Sequence, residues 1–351
     1  MKPRIRKAVR DLAAYTPGEQ PREPDIIKLN TNENAYPPSP KIREVLAQAY
    51  DKLRLYPDPV CLEFREALAE LHGCKPGNIF VGNGSDEVLA LCTRAFVDKG
   101  GSIGYFEPSY SLYPVLAAIQ EIAVKPVRLK DDFSWNMPKG YSASLFFLAN
   151  PNAPTSIQYP ASVVAEFCRK SPGVVLIDEA YVDFSAYNCM DLALSLPNVL
   201  VARSFSKSYS LAGLRVGYVV GSEELIGAFY KIKDSYNVDR VAQQIALAAI
   251  RDIGHMHRNV ERIKDTRARV SKELERRGFR VLPSETNFLW VKPASGWQAA
   301  DVFEELRKQK ILVRYFPGEL TGDYLRITVA TDAEMTVLLA ALDQIVEPLE
   351  K

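Results

Sequence analysis

Between residues 79 and 220 the chain lays down a series of short apolar runs, at 79–81, 102–106, 124–129, 145–148, 174–177, 199–202 and 216–220. Helical periodicity fills several of the gaps between them, over 86–96, 109–119 and 161–169. A strand with one wet face alternates apolar and polar residues. The runs at 174–177, 199–202 and 216–220 are close to continuously apolar, so both of their faces are expected to be covered. That pattern, interleaved with helices, predicts an α/β unit built on a mainly parallel sheet.

After Gly221 the texture changes. Helices are expected at 223–232 and 242–250, and a long charged one at 255–277 keeps Val260, Ile263, Val270 and Leu274 on one side. Strands follow at 279–282, 287–291, 312–314 and 324–328, with helices at 298–308 and 333–345, which describes a smaller α+β unit. Residues 1–35, rich in Pro and Asn, read as an irregular arm. A chain of 351 residues accommodates two domains. The expected division is an arm at 1–35, a large domain at 36–255 and a small C-terminal domain at 256–351, with the boundary inside the long helix.

Composition removes several function classes. The net charge of +1 offers no electrostatic basis for binding nucleic acid or an anionic membrane surface. No stretch approaches the roughly 18 apolar residues of a membrane span, and no apolar run follows the basic start, so no signal peptide is expected. The five cysteines are odd in number and contain no C-x-x-C, which suggests reduced thiols and a cytoplasmic location. Cys61, Cys74, Cys92 and Cys168 read as small core residues. His255 and His257 lie two apart, off any common helical face. They read as surface residues, and no metal site is expected.

The chemistry concentrates around Lys207. It sits among Ser204, Ser206, Ser208, Tyr209 and Ser210, with Arg215 shortly after, and the apolar strand 174–177 upstream runs into Asp178. A lysine amine condenses with an aldehyde, hydroxyls and an arginine hold a phosphate, and a buried acid keeps a pyridine nitrogen protonated. Pyridoxal 5′-phosphate (PLP) requires these three services. Gly82-Asn83-Gly84-Ser85-Asp86-Glu87 follows a predicted strand and opens a helix, where free N–H groups make an anion site. An ordinary capped turn fits that segment equally well when it is taken alone. Asp178 at a strand's carboxyl end lies where α/β proteins bind ligands. Tyr110 is placed either to stack on a ring or to fill core.

As a set, several segments resemble the fold-type-I PLP-dependent aminotransferases, and within them the histidinol-phosphate aminotransferases. They are Leu29-Asn30-Thr31-Asn32-Glu33-Asn34, Tyr56-Pro57, Gly84-Ser85-Asp86-Glu87, Pro108-Ser109-Tyr110, Asn150-Pro151-Asn152-Ala153-Pro154-Thr155, Asp178-Glu179-Ala180-Tyr181, Ser206-Lys207, Gly213-Leu214-Arg215-Val216-Gly217 and Leu325-Arg326-Ile327-Thr328. The resemblance implies that Lys207 bonds the cofactor's aldehyde, Asp178 pairs with its ring nitrogen, Tyr181 bonds its ring oxygen and Tyr110 stacks on it. It assigns the cofactor phosphate to Ser85, Asp86, Ser204, Ser206 and Arg215, with Tyr56 reaching over from the second subunit of a homodimer with shared active sites. Arg326 is implied for the amino donor's carboxylate, and Arg314 and Tyr15 for the substrate's phosphate end. Tyr15, like Tyr56, is expected to act across the dimer interface.

The implied reaction is transamination of L-histidinol phosphate with 2-oxoglutarate, yielding glutamate, in L-histidine biosynthesis. The alternatives are a threonine-phosphate decarboxylase, an aromatic amino-acid aminotransferase, and a PLP-binding regulator without turnover. One departure stands out. The resemblance implies an asparagine, present in most members of the family, that donates to the cofactor's ring oxygen where this chain has Ala153. Either Asn152 shifts into that role or Tyr181 serves it alone.

Overall fold

The protein is described by a computed structural model, covering residues 4–346. Its strands are β1 (Ile27–Lys28), β2 (Ile79–Asn83), β3 (Ser102–Glu107), β4 (Ala123–Arg128), β5 (Leu145–Ala149), β6 (Val174–Asp178), β7 (Val199–Ser204), β8 (Val216–Gly221), β9 (Arg280–Val281), β10 (Phe288–Lys292), β11 (Ile311–Leu312), β12 (Arg314–Tyr315) and β13 (Leu325–Thr328). A seven-stranded sheet runs in the order β2-β8-β7-β6-β5-β3-β4. Its strands are parallel except β8, which pairs antiparallel with both β2 and β7. The apolar runs therefore do form one mainly parallel sheet. Alternate residues face two separate cores. Phe146, Leu148, Val175 and Ile177 pack into one, and Leu145, Phe147 and Leu176 into the other. An apolar run carries no direction, and so the reversal of β8 is not visible in it.

The helix Ile253–Arg276 buries Val260, Ile263, Val270 and Leu274 and leads to a second, antiparallel sheet, β12-β13-β10-β9. The run expected at 312–314 is split, because β11 pairs with β1 while β12 pairs with β13. The arm is more regular than expected. It contains a helical turn, Lys7–Arg10, and contributes β1 beside β11. A short helix, Met190–Ser195, was not foreseen. Its six residues are too few for a periodicity to register.

Two minor readings change. Cys74 is only partly buried, whereas Cys189 is fully buried with Cys61, Cys92 and Cys168. His255 is half-buried and its Nε2 lies 3.0 Å from the Pro37 carbonyl oxygen. Among the described residues, no helix is long and apolar enough to cross a membrane.

Candidate active site

A cavity of about 640 Å³ opens at the carboxyl edge of the seven-stranded sheet, within the roughly 300–1,000 Å³ usual for small-molecule sites. Parallel strands deliver their last residues to one edge, which brings Asp178 (end of β6, opposite Ala202) and Ser204 (end of β7, two residues beyond Ala202) to the same rim. Because β8 runs backwards, the residue before it, Arg215, arrives at the same edge. Every sequence-predicted site residue except Tyr56 lines this cavity.

One end of the cavity is an anion cradle. β2 passes through Gly84, in the left-handed region at φ 76°, into the helix Gly84–Phe96. The first N–H groups of that helix, at Ser85 and Asp86, lack helical acceptors and carry the positive end of its dipole. A Cβ on Gly217 would lie 2.4 Å from the Ser85 nitrogen, so only glycine lets β8 pass this close to the helix start. Arg215 is itself left-handed (φ 56°), a conformation costing a non-glycine residue about 1–3 kcal/mol. Its guanidinium lies across the cradle, 3.4 Å from Ser206 Oγ and 3.0 Å from Asp86 Oδ2.

The middle of the cavity holds a buried acid. Asp178 Oδ2 accepts from the Tyr113 hydroxyl at 2.9 Å and Oδ1 from the Ala180 N–H at 3.2 Å. Burial pushes its carboxyl up to about 6, although these hydrogen bonds and Lys207 pull the other way. Among the described residues no cation forms a salt bridge with it. An acid buried without a paired cation is costly.

Lys207 faces the acid from the connection between β7 and β8. Its Nζ donates to the Thr31 carbonyl at 3.1 Å and lies 5.7 Å from the Tyr181 ring centroid. Asn34 Nδ2 donates to the carbonyls of Lys207 and Ser208, both at 3.2 Å, and the Ser208 hydroxyl donates to Asp183. Together they fix the loop that carries the lysine. Tyr110 donates to Asp86 Oδ1 at 3.1 Å, and its ring meets those of Tyr15 and Tyr113 edge-on at 5.9 and 5.6 Å. Burial and the Asp86 charge push the Tyr110 phenol upward, which keeps it protonated.

Two arginines form the far wall. Arg314 and Arg326 stand directly opposite each other on β12 and β13. Like charges in that register repel. Desolvation holds Arg326 below the usual guanidinium range, and Arg314 adds to the effect. Neither forms a salt bridge with a carboxylate among the described residues. Arg326 Nη2 donates to the Asn30 carbonyl at 2.8 Å while its Nε has no partner. Arg314 makes only long contacts, 3.3–3.4 Å, to the carbonyls of Thr16 and Pro17.

The sequence reading missed Tyr113, Asn34 and Asn32. Tyr113 follows Tyr110 by three residues and looks like helix core, which it also is, being fully buried. The two asparagines lie in a motif that was noticed, but their partners are more than a hundred positions away. Tyr15 lines its own chain's cavity, which replaces the expectation that it reaches a neighbouring subunit. Tyr56 lies elsewhere. It is 76% exposed and stacks on Tyr236 at 4.4 Å. Ala153 forms part of the cavity wall, whereas Asn152 is fully buried and hydrogen-bonded to Ser109, Pro108 and Thr155.

Comparison with known proteins agrees with this geometry. Residues 24–342 match the family model for aminotransferase class I and II. The histidinol-phosphate aminotransferase of Chromohalobacter salexigens is 44% identical over 347 residues, covering 96% of this chain and 97% of that protein. The enzyme of the same name from Syntrophotalea carbinolica is 43% identical, covering 97% and 99%. Among solved structures, histidinol-phosphate aminotransferase from Sinorhizobium meliloti, determined in complex with pyridoxal-5′-phosphate, superposes with a TM-score of 0.89 at 27% identity and covers 99% of both chains. With the family model spanning most of its length and such relatives matching nearly end to end, the chain belongs to the class I and II aminotransferases and, within them, to the histidinol-phosphate aminotransferases.

Proposed function

We propose that this protein transfers the amino group of L-histidinol phosphate to 2-oxoglutarate, forming glutamate, as a step of L-histidine biosynthesis, with PLP as its cofactor. The observation that carries the substrate assignment is the opposed pair Arg314 and Arg326. Histidinol phosphate has a phosphate and no carboxylate, and glutamate has carboxylates and no phosphate. An enzyme using both in turn needs a receptor for two kinds of anion. Two forked guanidiniums beside the reactive lysine suit that requirement.

The residues present fit the cofactor. Its phosphate matches the cradle of Ser85, Asp86, Ser204, Ser206 and Arg215, and a protonated ring nitrogen supplies the cation that Asp178 lacks. When bound, PLP supplies an aldehyde for condensation with amines and a ring that accepts an electron pair. In this reading Lys207 Nζ carries the substrate's Cα proton, and the Thr31 carbonyl holds that amine in place. Asp178 holds the proton on the ring nitrogen, and the Tyr113 hydroxyl orients the acid. Tyr110 would stack on the ring, and Tyr181 would donate its hydroxyl to the ring oxygen. Arg326 binds the α-carboxylate of glutamate or 2-oxoglutarate, and Arg314 and Tyr15 bind the phosphate end of histidinol phosphate. The proposed division into 1–35, 36–255 and 256–351 makes these last contacts interdomain ones. A cytoplasmic location is proposed from the unpaired thiols.

Two assays test the activity. Purified protein with PLP receives histidinol phosphate and 2-oxoglutarate in one tube and threonine phosphate in another. Glutamate formation in the first supports the proposal. Release of CO2 in the second, without glutamate in the first, assigns the protein to the decarboxylases instead. Within the first assay, Arg326→Ala is expected to lower kcat/KM for glutamate about 10- to 100-fold more than for histidinol phosphate, the equivalent of one charge-assisted hydrogen-bond pair. Arg314→Ala is expected to lower both. Equal losses for Arg326→Ala, measured in separate half-reactions, would make it a structural residue.

The working unit is proposed to be a homodimer with shared active sites. Support comes from the exposed apolar side chains Leu46, Tyr50, Leu53, Leu55 and Tyr56, which follow one another along a single segment outside the cavity. Mixing Lys207→Ala subunits with Tyr56→Phe subunits should then restore about a quarter of wild-type activity, because half the closed dimers are hybrids with one intact site each. Mixing with Tyr15→Phe subunits should restore none, since Tyr15 serves its own chain's site. Absence of rescue with Tyr56→Phe, once subunit exchange is verified and each variant alone is impaired, would count against shared sites.

A further inference from the structure

Ala153 leaves the cavity wall without the amide that the family resemblance implies there, and Asn152 is spent on internal hydrogen bonds. The only tyrosine hydroxyl assigned to the cofactor's ring oxygen is that of Tyr181, and a phenol proton can lie to either side of its C–O bond in the ring plane. The structure contains a group that selects one side. Asn32 Nδ2 donates to Tyr181 Oη at 2.9 Å.

The orientation of that amide is set by its surroundings. Asn32 is buried and left-handed, at φ 58°, a conformation asparagine tolerates better than most residues. Its backbone N–H donates to Thr328 Oγ1 at 3.0 Å, and the Thr328 hydroxyl in turn donates to Asn32 Oδ1 at 3.1 Å. Asn287 Nδ2 clamps the Asn32 carbonyl at 3.0 Å. With Oδ1 committed to Thr328, only the NH2 of the amide faces Tyr181. A phenol has one proton and can accept through its oxygen. Since its oxygen accepts from Asn32, its proton must point elsewhere, and the cavity is the open direction.

We infer that Asn32 is a positioning residue that aims the Tyr181 proton into the cavity at the cofactor's ring oxygen, offsetting the loss of a donor at position 153. The inference rests on the assignment of Tyr181 to the ring oxygen. It extends that assignment with a three-residue relay, Thr328 to Asn32 to Tyr181, which joins β13 to the segment after β6.

The test reads the colour of the resting holoenzyme, without substrate. A donor aimed at the ring oxygen stabilises its negative charge and so favours the less protonated form of the bound cofactor. Losing that donor raises the midpoint at which the visible band titrates. Asn32→Gly keeps the left-handed backbone and removes the amide without adding charge. Asn32→Asp keeps the shape and turns a donor into an acceptor. Both are expected to raise the midpoint by about one pH unit, the equivalent of one weakened hydrogen bond to a charged group, and to weaken PLP binding to the apoprotein several-fold. In a Tyr181→Phe background Asn32→Gly, which adds no charge, should not shift it further. Melting of the apoproteins identifies any variant that fails to fold, and the other variant then carries the test. A midpoint unmoved by the Asn32 variants but raised by Tyr181→Phe overturns the inference, as does an Asn32→Gly shift that persists in the Tyr181→Phe background. A midpoint unmoved by Tyr181→Phe overturns the assignment of Tyr181 itself.

Discussion

Lys207→Ala is expected to give a folded, colourless protein whose turnover falls by about 10²–10⁴-fold or more, the range for removal of a group that transfers a proton in the transition state. The expectation follows from position. Lys207 is the lysine on the cavity wall, its Nζ is held by the Thr31 carbonyl, and its loop is pinned by Asn34 and Ser208. The pinning groups bond to backbone or to Ser208, so the substitution removes the amine and leaves the loop. Borohydride reduction of the wild-type holoenzyme followed by peptide mapping should place the cofactor label on Lys207. A label on any other lysine would refute the assignment.

Asp178→Asn should lower turnover by on the order of 10²-fold or more, because a preorganised electrostatic partner is lost with little change of shape. The Tyr113 hydroxyl and Ala180 N–H remain beside an isosteric side chain. The same substitution has a second, opposite effect. A carboxyl whose folded value is about 6 against an ordinary 3.8 destabilises the fold once it must ionise. Below pH 3.8 the acid is protonated in both states and nothing is lost. Between 3.8 and about 6 the folded state binds the extra proton, so stability falls as pH rises. Above that the penalty is constant, on the order of 3 kcal/mol. The Asp178→Asn apoprotein should therefore melt higher than the wild-type apoprotein at pH 8, with the gap closing toward pH 4. PLP should stabilise the wild type more than the variant. A variant that turns over within a few-fold of wild type would remove Asp178 from the mechanism. Identical apoprotein melting at pH 8 would remove the argument from burial.

Much of the site was legible because its chemistry is local in the chain. Lys207, Ser204, Ser206 and Arg215 fall within a dozen positions, and Asp178 ends an apolar run whose direction in a parallel sheet puts it at the ligand edge. Tyr113 was missed because a buried tyrosine on a helix has the same appearance whether or not its hydroxyl serves an acid. Tyr15 was misjudged because an irregular arm carries no periodicity that says which chain it folds over. Its placement depends on β1 pairing with β11 and on Arg314 meeting the carbonyls of Thr16 and Pro17.

By itself the sequence determined the class of architecture, the chemical services gathered around Lys207 and the family resemblance. Apolar periodicity and residue type are properties of short segments, and burial of apolar surface acts on them in nearly the same way in any context. Tertiary structure alone decided the reversed direction of β8, the opposition of Arg314 and Arg326, the unpaired state of Asp178 and the meeting of Asn32 with Tyr181. Each of these depends on distances between residues far apart in the chain. Hydrogen bonds and charge interactions act only over a few ångströms and in fixed directions, so they exist only once packing has brought their partners together.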